Sequence, residues 1–225
     1  MMIKAVIFDM FETLVCLFEG RTYFSENIAE DIGIPAETFR TAWHITEKDR
    51  SSGHYSMEEG LSETLRKLGA YSEENVRMVM EKRRGVLEDT FSNIPKEIFE
   101  LLCSLKEKGI KIGLISNCFS DESEFIKASR LYPYFDAAML SYEQGICKPD
   151  IELYTRITKQ LGVEPEECLY VGDGGSRELY AARNVGMKAL QAEWFRSKAF
   201  EPHIPCGILS EFEQLARPED VLKYL

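Results

Sequence analysis

The spacing of apolar residues changes along the chain, and the change separates two kinds of structure. Residues 3–8 form a short, mostly apolar run, which predicts a strand buried on both faces. From about residue 16 to residue 91 the apolar positions recur at helical spacing, and no strand pattern interrupts them. Glycine and serine residues separate four predicted helices, near 21–32, 36–50, 57–69 and 72–90.

From residue 94 onward, short apolar strands alternate with amphipathic helices. The predicted helices span 95–108, 121–131, 150–161 and 176–185. The predicted strands span 110–116, 137–141, 168–172 and 187–191, with 207–209 as a candidate last strand and 211–215 and 218–225 as terminal helical turns. Repeated strand–helix units imply a parallel sheet covered by helices on both faces. We therefore predict an α/β fold with a helical insertion after its first strand.

Composition and charge narrow the classes of function. The chain has 225 residues, of which 44% are hydrophobic and 29% charged, as in a soluble globular protein. A net charge of −11 argues against nucleic acid as a partner, because phosphate contacts need clustered Lys and Arg. No apolar run approaches the roughly 20 residues that span a bilayer, and the first residues lead directly into a strand rather than a signal peptide. We expect a cytoplasmic protein without a membrane partner; its oligomeric state is left open.

Three predicted strands end in polar residues, namely Asp9, Ser116 and Asp173. The carboxyl ends of parallel strands meet at one edge of a sheet, where open α/β sheets bind their ligands. We therefore expect these side chains to lie close together, with Lys148 entering from a loop. Such a group of carboxylates, a hydroxyl and an ammonium suits the joint binding of a phosphate and a hard cation.

Four segments, in this order, resemble the haloacid dehalogenase-like hydrolase superfamily. They are Phe8-Asp-Met-Phe-Glu-Thr-Leu14, Leu114-Ile-Ser-Asn117, Lys148-Pro-Asp150 and Val171-Gly-Asp-Gly-Gly-Ser-Arg-Glu178. The resemblance implies a Rossmann-like parallel-sheet core with an inserted α-helical cap. It assigns residues 1–15 and 92–225 to the core and 16–91 to the cap. It also implies a Mg²⁺-dependent phosphatase that acts on a small phosphorylated metabolite.

The resemblance also assigns roles to individual residues. Asp9 is the expected nucleophile, which forms an aspartyl-phosphate that water then cleaves. The expected Mg²⁺ ligands are Asp9, the backbone carbonyl of Phe11, and Asp173, with Glu178 supporting the metal or its waters. Thr13 and Ser116 are expected to donate hydrogen bonds through their hydroxyls, and Lys148 is expected to neutralise the phosphate. The residues expected to bind substrate are Asn117, Arg40 and Phe11.

Phe11 departs from the family pattern Asp-x-Asp-x-Thr, in which the second aspartate protonates the leaving group. A phenyl ring cannot do so, and loss of a general acid typically costs roughly 10²–10⁴ in rate. Glu12 is adjacent, but its side chain is expected to diverge from that of Phe11. Residual activity is therefore expected mainly toward leaving groups that need no proton.

Three alternatives remain open at this point. One is a metal-independent 2-haloacid dehalogenase, in which Arg40 and Tyr154 would be functional, although such enzymes have Ser where this chain has Asp173. A second is a phosphonate-cleaving enzyme, for which Lys48 is the candidate Schiff-base lysine. The third is a catalytically weak protein that only binds phosphate. Cap residues able to recognise a substrate include Arg40, Trp43, His44, Glu47 and His54.

Overall fold

The computed structural model, which describes residues 2–203 and 206–225, contains a six-stranded sheet. Its strands are β1 (Ala5–Phe8), β2 (Lys111–Ser116), β3 (Ala137–Leu140), β4 (Cys168–Gly172), β5 (Lys188–Ala192) and β6 (Glu213–Leu215). They lie in the order β3-β2-β1-β4-β5-β6, and every neighbouring pair is parallel. The predicted α/β parallel sheet is confirmed.

Strand β1 is the centre of the sheet, because it pairs with β2 on one side and β4 on the other. All four of its residues are buried, and successive side chains point to opposite faces. Val6 and Phe8 belong to one hydrophobic layer, whereas Ala5 and Ile7 belong to the other. The apolar run at the start of the chain therefore anchors both halves of the core.

Ten α-helices accompany these strands among the described residues. They are α1 (Ser25–Asp31), α2 (Ala36–Ile45), α3 (Glu47–Ser51), α4 (Met57–Lys67), α5 (Glu73–Ser92), α6 (Lys96–Glu107), α7 (Ser120–Ala128), α8 (Ser141–Gln144), α9 (Ile151–Leu161) and α10 (Glu178–Asn184). None of them combines the length and apolarity needed to cross a membrane.

Helices α1 to α5 follow β1 and include a hydrophobic cluster of their own. Ile28, Phe39, Leu61, Leu65 and Val79 are buried there and form a cluster separate from the two layers that flank the sheet. This helical insertion matches the block that the apolar spacing predicts. Its assignment as a cap with bounds 16–91 stays a prediction.

Two secondary-structure predictions differ from the structure. Residues 207–209 are not a strand, and the last strand is β6, in a segment predicted to be helical. Only Leu215 of β6 is buried, so this short edge strand carries no apolar alternation by which to recognise it. The helix predicted over 36–50 is divided at Thr46, whose hydroxyl donates to the carbonyl of Trp43 (3.2 Å) instead of facing solvent.

The layer formed by Val6 and Phe8 should be sensitive to loss of volume. Leu102 of α6 is fully buried in it, so we expect Leu102→Ala to lower the free energy of unfolding by about 2–5 kcal/mol. Glu107→Ala, at an exposed position of the same helix, should change it by less than about 0.5 kcal/mol. Urea unfolding of both variants measures this. Similar losses in the two variants would contradict the assigned packing of α6.

Candidate active site

The carboxyl ends of β1 and β4 bring two predicted aspartates together. Asp9 follows β1 and Asp173 follows β4, and the two strands are joined there by a hydrogen bond from Asp9 N to the carbonyl oxygen of Val171 (2.9 Å). One carboxylate oxygen each of Asp9, Asp173 and Glu178 lie within 4.8 Å of one another. The ends of β1 and β4 thus bring Asp9 and Asp173 together as expected, and Glu178 reaches them from α10.

Lys148 is the cation of this cluster. Its Nζ lies 2.5 Å from Asp9 Oδ1 and 2.5 Å from Glu178 Oε2, and its side chain is almost fully buried. Burial lowers the pKa of Lys148, but the charges of Asp9 and Glu178 outweigh this effect and leave the pKa above its usual value. The ammonium therefore stays charged and joins two of the three carboxylates.

Asn117 holds the backbone of Lys148 in place. Its Oδ1 accepts a hydrogen bond from Lys148 N (2.7 Å), and its Nδ2 donates to the carbonyl oxygen of Lys148 (3.2 Å). The same Nδ2 lies 3.3 Å from the hydroxyl of Ser176. The amide predicted to bind substrate therefore has a second role, since it fixes the loop that supplies the ammonium.

Glu178 is completely buried at the first residue of α10. Its Oε1 accepts a hydrogen bond from Gly174 N (3.0 Å) and its Oε2 accepts one from the Tyr170 hydroxyl (2.8 Å). A Cβ on Gly172 would clash with this carboxylate, which explains why a glycine ends β4. These contacts exclude a merely solvated helix residue at position 178.

The backbone before α10 makes an unusual turn. Ser176 and Arg177 have φ values of 51° and 55°, in the left-handed region that non-glycine residues rarely adopt. The turn carries the chain from Asp173 at the strand end to Glu178 at the start of the helix. The predicted helix over 176–185 is therefore shorter, because α10 begins only at Glu178.

Negative charge dominates the cluster. Burial, followed by the charge of Glu178, raises the pKa of Asp9 to about 8, and Lys148 opposes the increase. Burial and Glu178 likewise raise the pKa of Asp173 to about 7, whereas a hydrogen bond from Gly175 N opposes it. Three carboxylates face one ammonium here, so a divalent cation would offset the remaining charge.

The donor set fits Mg²⁺, which prefers carboxylate and carbonyl oxygens. Oδ1 of Asp9 and Oδ1 of Asp173 accept hydrogen bonds from Lys148 and Gly175. Within the described chain, no hydrogen bond reaches the second oxygen of either aspartate. These two oxygens are therefore the ones available to a cation.

The predicted hydroxyl donors are less directly placed. Both Thr13 and Ser116 are fully buried. The Thr13 hydroxyl has no hydrogen-bond partner among the described residues, and the Ser116 hydroxyl donates weakly to the carbonyl of Asn117 (3.3 Å). Neither residue lines the cavity of about 290 Å³ beside Asp9, whose wall includes Phe11, Glu12, Asn117, Lys148, Asp173, Ser176 and His203.

Phe11 and Glu12 both reach that cavity. The Phe11 ring packs edge-to-face on Phe91, with 6.4 Å between centroids. Glu12 has a φ of 58°, and its carboxylate accepts hydrogen bonds from Leu17 N (2.8 Å) and Cys16 Sγ (3.3 Å). The Glu12 carboxylate thus braces its own loop instead of occupying the place of a second aspartate.

Arg40 does not lie beside Asp9. It pairs with Glu37 (3.2 Å) on α2 and lines a second, larger cavity between the helical insertion and the sheet. Tyr154 is buried, and its hydroxyl donates to the backbone carbonyl of Glu178 (3.1 Å). Lys48 is exposed and lines neither cavity.

Sequence reasoning missed Ser176, His203 and Arg50. Ser176 and His203 line the cavity beside Asp9, and His203 and Arg50 line the larger one. Ser176 lies in a quoted motif, but no spacing rule singles out its hydroxyl. His203 arrives from a segment without periodicity, and its ring stacks on Phe24 with 4.0 Å between centroids.

Comparisons with known proteins agree with this geometry. The chain is 27% identical over 193 residues to a glyceraldehyde 3-phosphate phosphatase of Methanocaldococcus jannaschii, which covers 83% of each sequence. The fold of this chain resembles that of a HAD family enzyme of Bacteroides thetaiotaomicron, with a TM-score of 0.68 and 21% identity over 89% of this chain and 100% of that one. A wild-type structure of that enzyme in complex with magnesium and inorganic phosphate has a TM-score of 0.60 and 19% identity, over 90% of this chain and 98% of that one.

A match to a family model identifies the family. The model described as haloacid dehalogenase-like hydrolase matches residues 3–186. The match includes the central strand, the helical insertion and every residue of the carboxylate cluster. This chain therefore belongs to the haloacid dehalogenase-like hydrolase family.

Proposed function

We propose that the protein is a Mg²⁺-dependent phosphatase that transfers the phosphoryl group of a small substrate to Asp9 and then to water. One observation carries the proposal: carboxylate oxygens of Asp9, Asp173 and Glu178 lie within 4.8 Å of one another, and among the described residues Lys148 is the one cation paired with this cluster. The phosphatase name of a relative and the magnesium and phosphate bound to a structural neighbour support it.

The Mg²⁺ would be held by Asp9, Asp173 and the backbone carbonyl of Phe11. Glu178 would support these ligands without binding the metal directly. When bound, the cation would supply positive charge that favours ionised Asp9 and neutralises phosphate oxygens. Glu178 has hydrogen bonds on both oxygens, so its main role is to hold Lys148 and the Gly174 turn. Such support of the ligand set is common around protein-bound metals.

The chemical step uses the chain's own residues. A carboxylate oxygen of Asp9 attacks phosphorus, and the bond from phosphorus to the leaving oxygen breaks, which gives an aspartyl-phosphate. Lys148 stabilises the negative charge on the phosphate oxygens, and Asn117 keeps Lys148 aligned. Water then attacks the aspartyl-phosphate and releases phosphate and Asp9.

The alternatives have weaker support from the same geometry. A dehalogenase would need no carboxylate at position 173, and Tyr154 makes a buried contact with backbone away from the cavity. A Schiff base at Lys48 is disfavoured because Lys48 lines neither cavity. A phosphate-binding protein without turnover remains the main competitor, since Phe11 supplies no acid. We also propose a cytoplasmic location, since the composition is that of a soluble globular protein.

We expect Asp9→Asn to abolish phosphate release, because an amide cannot serve as the nucleophile. Removal of divalent cations with EDTA should do the same, with activity restored by Mg²⁺. A malachite-green assay on a panel of phosphomonoesters measures both effects. Asp31→Asn, at an exposed position of α1, is the matched control and should keep wild-type activity. Turnover that survives Asp9→Asn would refute the proposed nucleophile.

A second prediction concerns the missing acid. Phe11→Asp should raise kcat for alkyl phosphates by roughly 10²–10⁴, because their leaving groups need a proton. Acyl phosphates, whose leaving groups are weak bases, should gain little. Phe11→Asn has nearly the same shape without the acid and should not reproduce the increase. If Phe11→Asn and Phe11→Asp raise kcat equally, the increase comes from the smaller side chain. The assignment of a missing general acid would then be wrong.

A further inference from the structure

The larger cavity, about 540 Å³ in volume, lies next to the cavity beside Asp9. Both are lined by Leu17, Phe24 and His203, so they meet at these three residues. The wall of the larger cavity comes from α1, α2, α3, α5 and α7, together with loop residues that include Phe119. A substrate with its phosphate at Asp9 that reached past these three residues would enter the space under the helical insertion.

Arg50 contributes a buried charge to the larger cavity. It is 1% exposed, and its guanidinium lies flat against Trp43, with Cζ 3.4 Å from the ring centroid. Its Nη1 donates to the carbonyl oxygen of Trp43 (3.0 Å) and to the hydroxyl of Thr46. Its Nε has no acceptor, and among the described residues no carboxylate lies within ion-pair distance of the group.

The other basic side chains around this cavity have carboxylate partners. Arg83 is within 2.5 Å of both Asp121 and Glu122. Arg40 pairs with Glu37 at 3.2 Å. The histidines have carboxylate partners too, with His44 at 2.6 Å from Glu47 and His203 at 2.5 Å from Glu26. Within the described chain, Arg50 is thus the one lining arginine without a carboxylate at ion-pair distance.

Gly60 in the interior of α4 fixes where the Arg50 side chain lies. A Cβ at Gly60 would be 2.5 Å from both Cγ and Cδ of Arg50. Glycine costs a helix interior about 1 kcal/mol relative to alanine, so its presence needs a reason. The reason here is the Arg50 stem, which occupies the place of the missing methyl group.

A buried, unpaired guanidinium is costly unless something compensates its charge. Burial lowers the pKa of Arg50 to about 10, so the group remains protonated near neutral pH. An anionic group of a ligand in the cavity would provide the missing partner. One cation matches one negative charge, and the lining carboxylates Glu47 and Glu122 would repel a dianion such as a second phosphate.

We propose that Arg50 binds a carboxylate of the substrate in the larger cavity. The substrate class is then phosphate esters that carry a carboxylate, with the phosphate at Asp9 and the carboxylate toward Arg50. This inference rests on the proposed function for its phosphate end. A guanidinium matches the geometry of a carboxylate and of a phosphate alike. The choice of a carboxylate therefore rests on its single charge.

The test compares matched ligands on a protein that cannot turn them over. Asp9→Asn protein with Mg²⁺ is titrated calorimetrically with ω-carboxyalkyl phosphates and with alkyl phosphates of equal chain length. We expect the best carboxyalkyl phosphate to bind about 10- to 100-fold tighter than its alkyl partner. Adding Arg50→Met, which retains an unbranched stem against Trp43, should remove this preference. Arg84→Met, at an exposed arginine of α5, should retain it.

The other outcomes decide against the proposal. Equal binding of the two ligand series would overturn it, and this comparison needs no variant at position 50. An Arg50→Met change that weakens both series equally would make Arg50 purely structural. If the Arg50→Met protein does not fold, Arg50→Lys takes its place, because lysine keeps the charge but lacks the planar guanidinium. An unchanged preference for carboxyalkyl phosphates in the Arg50→Lys protein would contradict the geometric match between guanidinium and carboxylate. Wild-type turnover is assayed separately: absence of turnover with an Arg50-dependent preference refutes the proposed phosphatase but not the carboxylate site.

Discussion

The contact of Lys148 with Asp9 and Glu178 is the interaction on which the candidate site depends. It joins the end of β1, the loop before α9 and the start of α10 through one buried ammonium. A buried carboxylate without such a partner is strongly disfavoured. The arrangement therefore requires the loop of Lys148 to be in place, and Asn117 at the end of β2 secures that loop through both ends of its amide.

The sheet order explains why these groups meet. The central strand β1 has β2 and β4 as neighbours, so Asp9, Asn117 and Asp173 all follow strands that end at the same edge. The left-handed turn at Ser176 and Arg177 then returns Glu178 to the cluster. A backbone conformation that is unfavourable locally is thus stabilised by a fully hydrogen-bonded carboxylate.

The sequence predicts some parts of this site and not others, for physical reasons. Asp9 and Asp173 are predictable because apolar runs identify buried parallel strands and the residues that end them. The burial of Thr13 and Ser116 away from the cavity depends on side-chain orientation, which spacing does not encode. Strand β6 cannot be predicted, because an edge strand with one buried residue shows no alternation of apolar and polar positions. Arg50 cannot be predicted as a site residue, because a charged stretch of a helix is usually exposed to solvent. Only the packing shows that Arg50 is buried without a carboxylate partner.

Much of the helical insertion packs around its own hydrophobic cluster, whereas Leu87 and Phe91 at the end of α5 belong to a layer on the sheet. Residues of the larger cavity that belong to this separate cluster, such as Ile28 and Trp43, can consequently be exchanged with little effect on the strands that position Asp9. Evolution can then alter which molecules enter while the reactive edge is inherited unchanged. In contrast, Gly172 faces the Glu178 carboxylate at a distance that admits no side chain. Sequence changes should therefore concentrate on the walls of the larger cavity. Related chains are then expected to differ in substrate before they differ in reaction chemistry.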